Sequence, residues 1–318
     1  LHRRRHSFPT RRSSDLLQIY ACLLADADLA LRTNCSPTEW PTDIYADVAK
    51  RTHTLLEARL SAGDEMAQAW WELLPNGLSR TAVKQPVMTL AYAVTKYGVS
   101  AFITDWFVRD CIDKKIKPFG NNPWKHTRYL ASLVWESMQE VISPAVATMR
   151  WLHKVSDTFT NVGLPLFWKT PSGFPVAQRY CTYTAQQINC RVGFRCRNVR
   201  FRTQESTIHR RKQRNGIAPN YIHSLDSAIL HLAMNSLESR GVESVFTVHD
   251  AFGTHACDVP ILNQVLRDTY VQVFQQDQLS LLTQQFRKQL RGKAEIPDPP
   301  ERGTFDVRTI RDSQYAFA

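Results

Sequence analysis

The sequence predicts a mostly helical α/β fold, in the sense of α+β, and three observations predict it. Apolar residues recur at helical spacing through 17–31, 80–98, 126–153 and 260–290. Between them, Gly163, Pro165, Pro171, Gly173 and Pro175 punctuate aromatic and β-branched runs over 159–202, which reads as strands with a hairpin-like excursion. A further pair of short β-branched runs flanks a tight turn in SVFTVHDAFGTHACD at 244–258.

Taken in order, residues 17–31 form an Ala-rich helix that Asn34, Ser36 and Pro37 stop. A second helix is expected over 38–62, with its cap near Thr38 and Glu39, and a turn at Leu73-Pro75-Asn76-Gly77. The stripe over 80–98 predicts a helix closed at Gly98, with Pro86 awkwardly inside it. Residues 100–115 and 126–153 read as two more helices around a loop from Lys117 to Pro123. Pro219-Asn220 predicts the start of a helix over 221–240, with His223 in its first turn. A helix at 260–290, a Pro-rich crossing at Pro297, Pro299 and Pro300, and a tail ending Tyr315-Ala316-Phe317-Ala318 complete the chain.

Composition narrows the function. At 318 residues and 43% apolar, the chain can bury a sizeable core, and no apolar run reaches the roughly 18 to 20 residues of a membrane helix. The seven cysteines contain no C-x-x-C pair, which argues against a structural zinc cluster or a secreted disulfide scaffold. The net charge of +11 is localised: residues 1–15 carry +4, residues 191–214 carry +8, and the rest sums to −1. Clustered cations on a near-neutral body suit a polyanion, because phosphate binding gains from counterion release. Leu1–Asp15 has no apolar periodicity and reads as a non-native, adapter-like or disordered segment covering 1–16.

Four constellations carry chemistry. Arg80, Lys84, Met88 and Tyr92 recur every four residues, so they form one stripe winding about 40° per step around a helix. Two cations followed by an aromatic suit a triphosphate lying along the helix with a sugar beyond it. The bland alternative makes the cations a solvated face and Met88 and Tyr92 core. Asp250, at the tip of the His249-Asp250 turn, suits a hard divalent cation such as Mg²⁺, although one carboxylate does not make a two-metal site. His223 stands at the predicted helix start in APNYIHSLD. Arg191, Arg195, Arg197, Arg200 and Arg202, interleaved with Phe194 and Phe201, suit backbone phosphates and exposed bases.

Together these segments resemble the bacteriophage-type, single-subunit DNA-dependent RNA polymerases, the group that includes the mitochondrial enzymes. GLSRTAVKQPVMTLAYAVTKYG is similar to their fingers helix, and APNYIHSLDSAILH and VHDAFGTHACD to their later palm motifs; DIYADVAK, YLASLVWESM, TPSGFPVAQRY and YAFA resemble the family as well. The resemblance covers Leu17 to Ala318. It implies a right-hand polymerase fold: partial palm over 17–43, fingers over 44–222 with a promoter-reading excursion near 180–202, and palm over 223–318. It implies that Arg80 and Lys84 bind the incoming triphosphate, that Tyr92 sits under the sugar with Met88 beside it, and that His223 lies near the 2′-hydroxyl. Asp250 would ligate Mg²⁺, facing Lys84 across one cleft, and the YAFA end would pack close to the site. The partners implied are a DNA template and promoter, an RNA product and nucleoside triphosphates, with no membrane and a monomeric chain. The implied location is the cytoplasm of an infected bacterial host, with the mitochondrial matrix as the alternative.

Departures from the pattern matter as much. The family's other metal-binding Asp would fall near position 11, which is Arg11, with Asp15 four residues out of register. Ala93 stands where a Gly usually follows the Tyr. The expectation is therefore an enzyme portion inactive by itself. A related A-family DNA polymerase is one alternative, and a non-catalytic nucleic-acid-binding relic is another.

Overall fold

The computed structural model describes residues 10–12, 16–90, 92–112, 119, 123–248 and 251–317. His249, Asp250, Asp15, Ala318 and most of the 117–123 loop lie outside the described residues.

Helices dominate, and their ends are set by caps and prolines. Helix α1 (Leu16–Leu24) is buried along nearly its whole length and stops where Ala25 turns to φ 48°. Asp26 then caps α2 (Ala27–Arg32) by accepting the Leu29 N–H at 2.7 Å, so the single helix expected over 17–31 is two. Helix α3 (Ile44–Ser61) starts six residues later than Thr38 suggested: Asp43 is the cap, accepting from Tyr45 N at 3.0 Å. Pro41 disfavours helix at Trp40, which is why the earlier cap fails. Helix α4 (Glu65–Leu73) and the Pro75–Gly77 turn lead to α5 (Arg80–Leu90). Helix α5 closes before Gly98, which instead lies in the first turn of α6 (Lys96–Phe107), continued by a π-helical turn Val108–Ile112.

The helix expected over 126–153 is also two, α7 (Trp124–Val141) and α8 (Ser143–Asn161), because Pro144 fits only a first turn. The C-terminal helix divides likewise into α10 (Val259–Phe274) and α11 (Gln278–Leu290), where Asp277 accepts the Ser280 N–H at 3.0 Å. The opposite correction applies to α9, which runs unbroken from Arg210 to Ser239 with Pro219 inside it. His223 therefore sits mid-helix rather than in a first turn. Residues 210–214 are helical, not part of the strand-like excursion.

Strands are few and all antiparallel. Strands β2 (Leu166–Lys169) and β3 (Pro175–Gln178) form one pair. Strands β4 (Cys181–Val192) and β5 (Arg195–Ile208) form a long hairpin closed at Gly193 (φ 61°) and Phe194. Strands β6 (Val245–Val248) and β7 (Ala251–Thr254) pair antiparallel on either side of residues 249–250, which lie outside the described residues. A third strand, β1 (Thr10–Arg12), adds to the free side of β7, giving the order β1-β7-β6. The segment read from sequence as foreign to the fold thus contributes a strand.

One contiguous core draws on every helix from α1 to α11, with Tyr20, Trp70, Phe107, Phe159, Tyr270 and Phe286 among its fully buried side chains. Burying a large apolar side chain contributes about 1.5–3 kcal/mol each, so this core fixes the relative placement of the helices that carry the site.

Candidate nucleotide site and nucleic-acid surfaces

Helix α5 is amphipathic, and the side it leaves to solvent is the predicted stripe. Ala82, Val83, Pro86, Val87 and Leu90 are buried. Arg80 and Lys84 are exposed, and Met88 and Tyr92 are 45% and 46% exposed. That exposure removes the alternative in which Met88 and Tyr92 are core.

The C-terminal end of α5 has a defined geometry. Ala93 N–H donates to Leu90 O at 2.8 Å and Val94 N–H to Thr89 O at 3.2 Å, the paired bonds of a Schellman motif. Ala93 occupies its left-handed position at φ 57°. Tyr92 is thereby held as the last residue before the chain reverses, and its ring meets the His223 ring with centroids 5.2 Å apart, tilted 35°. These two residues are 131 positions apart in sequence (223 minus 92) and come from the turn that closes α5 and from α9. At the other end of the stripe, Arg80 Nε bonds Asp43 Oδ2, and its guanidinium lies 4.9 Å from the Tyr45 ring centroid.

Asp250 falls outside the described residues, so its relation to Lys84 rests on sequence alone. In the backbone register of the neighbouring strand, Arg11 pairs with Phe252 and Arg12 with Ala251. Among the described residues no group of three His, Cys, Asp or Glu side chains stands ready to hold a metal ion.

The hairpin carries the five predicted arginines, all exposed, with Phe194 wholly exposed at the tip. Its register divides them. Arg191, Arg200 and Arg202 share one face with Gln187, Asn189 and Asn198; Arg195 and Arg197 lie on the other with Ile188, Val199 and Phe201. Because the arms bury almost nothing, the hairpin is held at its root. There Gln178 Nε2 donates to Gln213 O at 2.8 Å, Gln213 Nε2 to Gln178 O at 2.6 Å, and Asn220 Nδ2 to Gln178 Oε1 at 2.8 Å. Further out, hydroxyls of Thr182, Thr184 and Thr207 hold the Glu205 carboxyl below its ordinary pKa.

Sequence reasoning missed one feature. A groove of about 700 Å³ runs from Ala93 at the end of α5 to the start of α9, lined by Lys96, Arg150, His153, Asp157, Arg210 and Arg214 among others. Asp157 lies 3.5 Å from both Arg210 and Arg214. Burial, and then the charge of Arg214, lowers the His153 pKa, and its buried Nε2 has no partner among the described residues. The signal was present in RRKQR at 210–214 but was assigned to the excursion rather than to a helix.

The C-terminal tail packs on α10 and on the loop before α3. The Phe317 and Tyr270 ring centroids lie 4.6 Å apart, tilted 49°, Arg267 Nη2 donates to Ser313 O at 2.6 Å, and the Tyr315 hydroxyl donates to Glu39 O at 3.1 Å.

Comparison with known proteins places the chain in a family. The family model for DNA-dependent RNA polymerase matches residues 13–296. The chain is 30% identical over 326 residues to the mitochondrial DNA-directed RNA polymerase of Mus musculus, covering 95% of this chain and 26% of that protein. It is 29% identical over 343 residues to T7 RNA polymerase of Escherichia phage T7, covering 95% of this chain and 39% of the relative. It is 30% identical over 309 residues to DNA-directed RNA polymerase 2A of Nicotiana tabacum, covering 95% and 88%. The chain thus spans about a quarter of the mouse relative and most of the tobacco one. These relatives come from a phage and from mitochondria. No helix among the described residues is long and apolar enough to cross a membrane.

Proposed function

Because the chain belongs to the DNA-dependent RNA polymerase family, in its phage-type single-subunit group, we propose that it is the nucleotide-selecting portion of a DNA-directed RNA polymerase. That membership replaces the A-family DNA polymerase alternative. The observation that carries the reading is the exposed stripe of α5 ending at Tyr92 against His223.

In this reading Arg80 and Lys84 take the triphosphate. Arg presents a planar fork and Lys a point charge to phosphate oxygens. Met88 lies along the nucleotide, the Tyr92 ring underlies the sugar, and His223 stands where it can hydrogen-bond a 2′-hydroxyl. The site discriminates against deoxyribose because a polar group left without its hydroxyl partner is costly. The face of the hairpin with Arg191, Arg200, Arg202, Gln187, Asn189 and Asn198 is suited to base edges, since a two-stranded ribbon fits a major groove and these side chains can pair with guanine and adenine. Arg195 and Arg197, among apolar neighbours, serve phosphates. The groove between α5 and α9 takes a single strand, with cations for its backbone and Trp135 for its bases. Fingers over 44–222 and palm over 17–43 and 223–318 would divide this work, although α9 crosses the 222/223 boundary without a break.

The parent reaction joins an RNA 3′-hydroxyl to the α-phosphate of a nucleoside triphosphate and releases pyrophosphate. This chain offers Asp250 but has Arg11 where the second carboxylate is expected, so it binds nucleotide without polymerising. Primer extension with NTPs and Mg²⁺ tests this: no product is expected from the chain as it stands, and robust synthesis overturns the assignment. A parallel titration separates the non-catalytic relic from a nucleotide-selecting module. The module binds ATP more tightly than 2′-deoxy-ATP, with the difference lost in His223→Ala; a relic that only holds nucleic acid shows no such difference.

A further inference from the structure

We infer that Asp43 is a positioning residue for Arg80, fixing the guanidinium as a preformed fork for phosphate; the inference rests on the reading of Arg80 as a triphosphate contact. One carboxylate does two jobs. Its Oδ1 caps α3, accepting the Tyr45 N–H at 3.0 Å and the Ala46 N–H at 3.4 Å. Its Oδ2 takes Arg80 Nε, while the Tyr45 ring supports the guanidinium face at 4.9 Å. The terminal nitrogens of Arg80 make no hydrogen bond to any described residue, and half of its side chain is exposed. The part of the group that is held is therefore the part a phosphate does not need.

Asp43 is itself braced. Asn34 clamps the preceding residue, with Nδ2 donating to Thr42 O at 3.0 Å and Oδ1 accepting from Thr42 N at 2.8 Å. Ser313 Oγ donates to Asn34 O at 2.8 Å, and Tyr315 ties down Glu39. The C-terminal tail thus buttresses the loop that sets Arg80.

An exposed ion pair adds little to stability, so the consequence lies in binding. An arginine already fixed by its Nε loses less side-chain freedom when a phosphate arrives. Two forces oppose one another here. Removing the carboxylate frees Arg80 and weakens binding, whereas removing a negative charge near an anion strengthens it. The buttressed geometry gives the first effect precedence.

Calorimetric titration of the chain with inorganic tripolyphosphate decides between them. Asp43→Asn retains a good helix cap. It is expected to bind about three- to tenfold more weakly than wild type, and to add nothing in an Arg80→Ala background. In ¹⁵N spectra the slowly exchanging Arg80 Nε–H signal should disappear in Asp43→Asn. Weakening by Arg80→Ala with unchanged or tighter binding by Asp43→Asn overturns the positioning role alone. If Arg80→Ala and Lys84→Ala both leave binding unchanged, the phosphate reading of α5 fails and the inference with it.

Discussion

Ala93 shows how a single residue reports the geometry around it. It occupies the left-handed closing position of α5 at φ 57°, a conformation that costs an L-residue roughly 1–2 kcal/mol and glycine almost nothing. A glycine at this position would adopt the same backbone without that strain. Ala93→Gly is expected to stabilise the chain by about 1 kcal/mol, read as a rise in the urea midpoint without a change in slope; an unchanged or lower midpoint refutes the strain. Residue identity made this departure visible in the sequence, but its cause was not, because φ is a property of the closing turn. Arg80, Lys84, Met88 and Tyr92 were legible from their four-residue spacing. Asp43 was not: in DIYADVAK it resembles any helix cap, and its bond to Arg80 spans 37 residues.

At the scale of elements, the hairpin β4–β5 is the test of charge. Its arms are exposed and held at the Gln178–Gln213 root, so its arginines can change without disturbing the core. Replacing Arg195 and Arg197, the two assigned to phosphates, with glutamine should leave the thermal midpoint within a degree or two and reduce the salt dependence of duplex-DNA binding. Each lost phosphate contact flattens the log–log slope by about 0.9. Loss of sequence preference with an unchanged slope would instead mean that these arginines touch only bases. The excursion was legible from the Gly- and Pro-punctuated aromatic and β-branched runs over 159–202, whereas its turn at Gly193 emerged only in the structure. Helix ends were less so, and each error has a local cause. Pro144 and Asp277 are ordinary start signals hidden inside continuous apolar periodicity. Pro219 gave the opposite error: it read as a start, yet α9 carries it in its interior because packing of Ile217, Ala218, Tyr221 and Ile222 outweighs the roughly 3 kcal/mol proline penalty.

Across the whole molecule, histidines buried in their neutral form link folding to acidity. His153 in the groove and His126, stacked on Phe119 at 4.1 Å, both have pKa values lowered by burial, with Arg214 and Lys125 adding to the effect. Unfolded histidine protonates near pH 6.5, so the unfolded chain binds these protons first as pH falls. Stability contributed by the neutral rings is present above about pH 6.5 and is lost progressively below it, towards the lowered folded values. His153→Gln should flatten the acid side of the stability curve; an unchanged curve would remove His153 from this role. The groove could not be read from sequence, because it joins α5, α6, α7, α8 and α9 and exists only once they pack.

The account stands on α5 offering its cationic stripe to a nucleotide that ends at Tyr92 and His223, and the affinity of the chain for ATP with and without Lys84 tests it most directly. A charge-assisted phosphate contact is worth about 1.5–3 kcal/mol, so Lys84→Ala should weaken ATP binding roughly tenfold or more at constant salt, with the thermal midpoint unmoved. Equal affinity of the two proteins for ATP would contradict it.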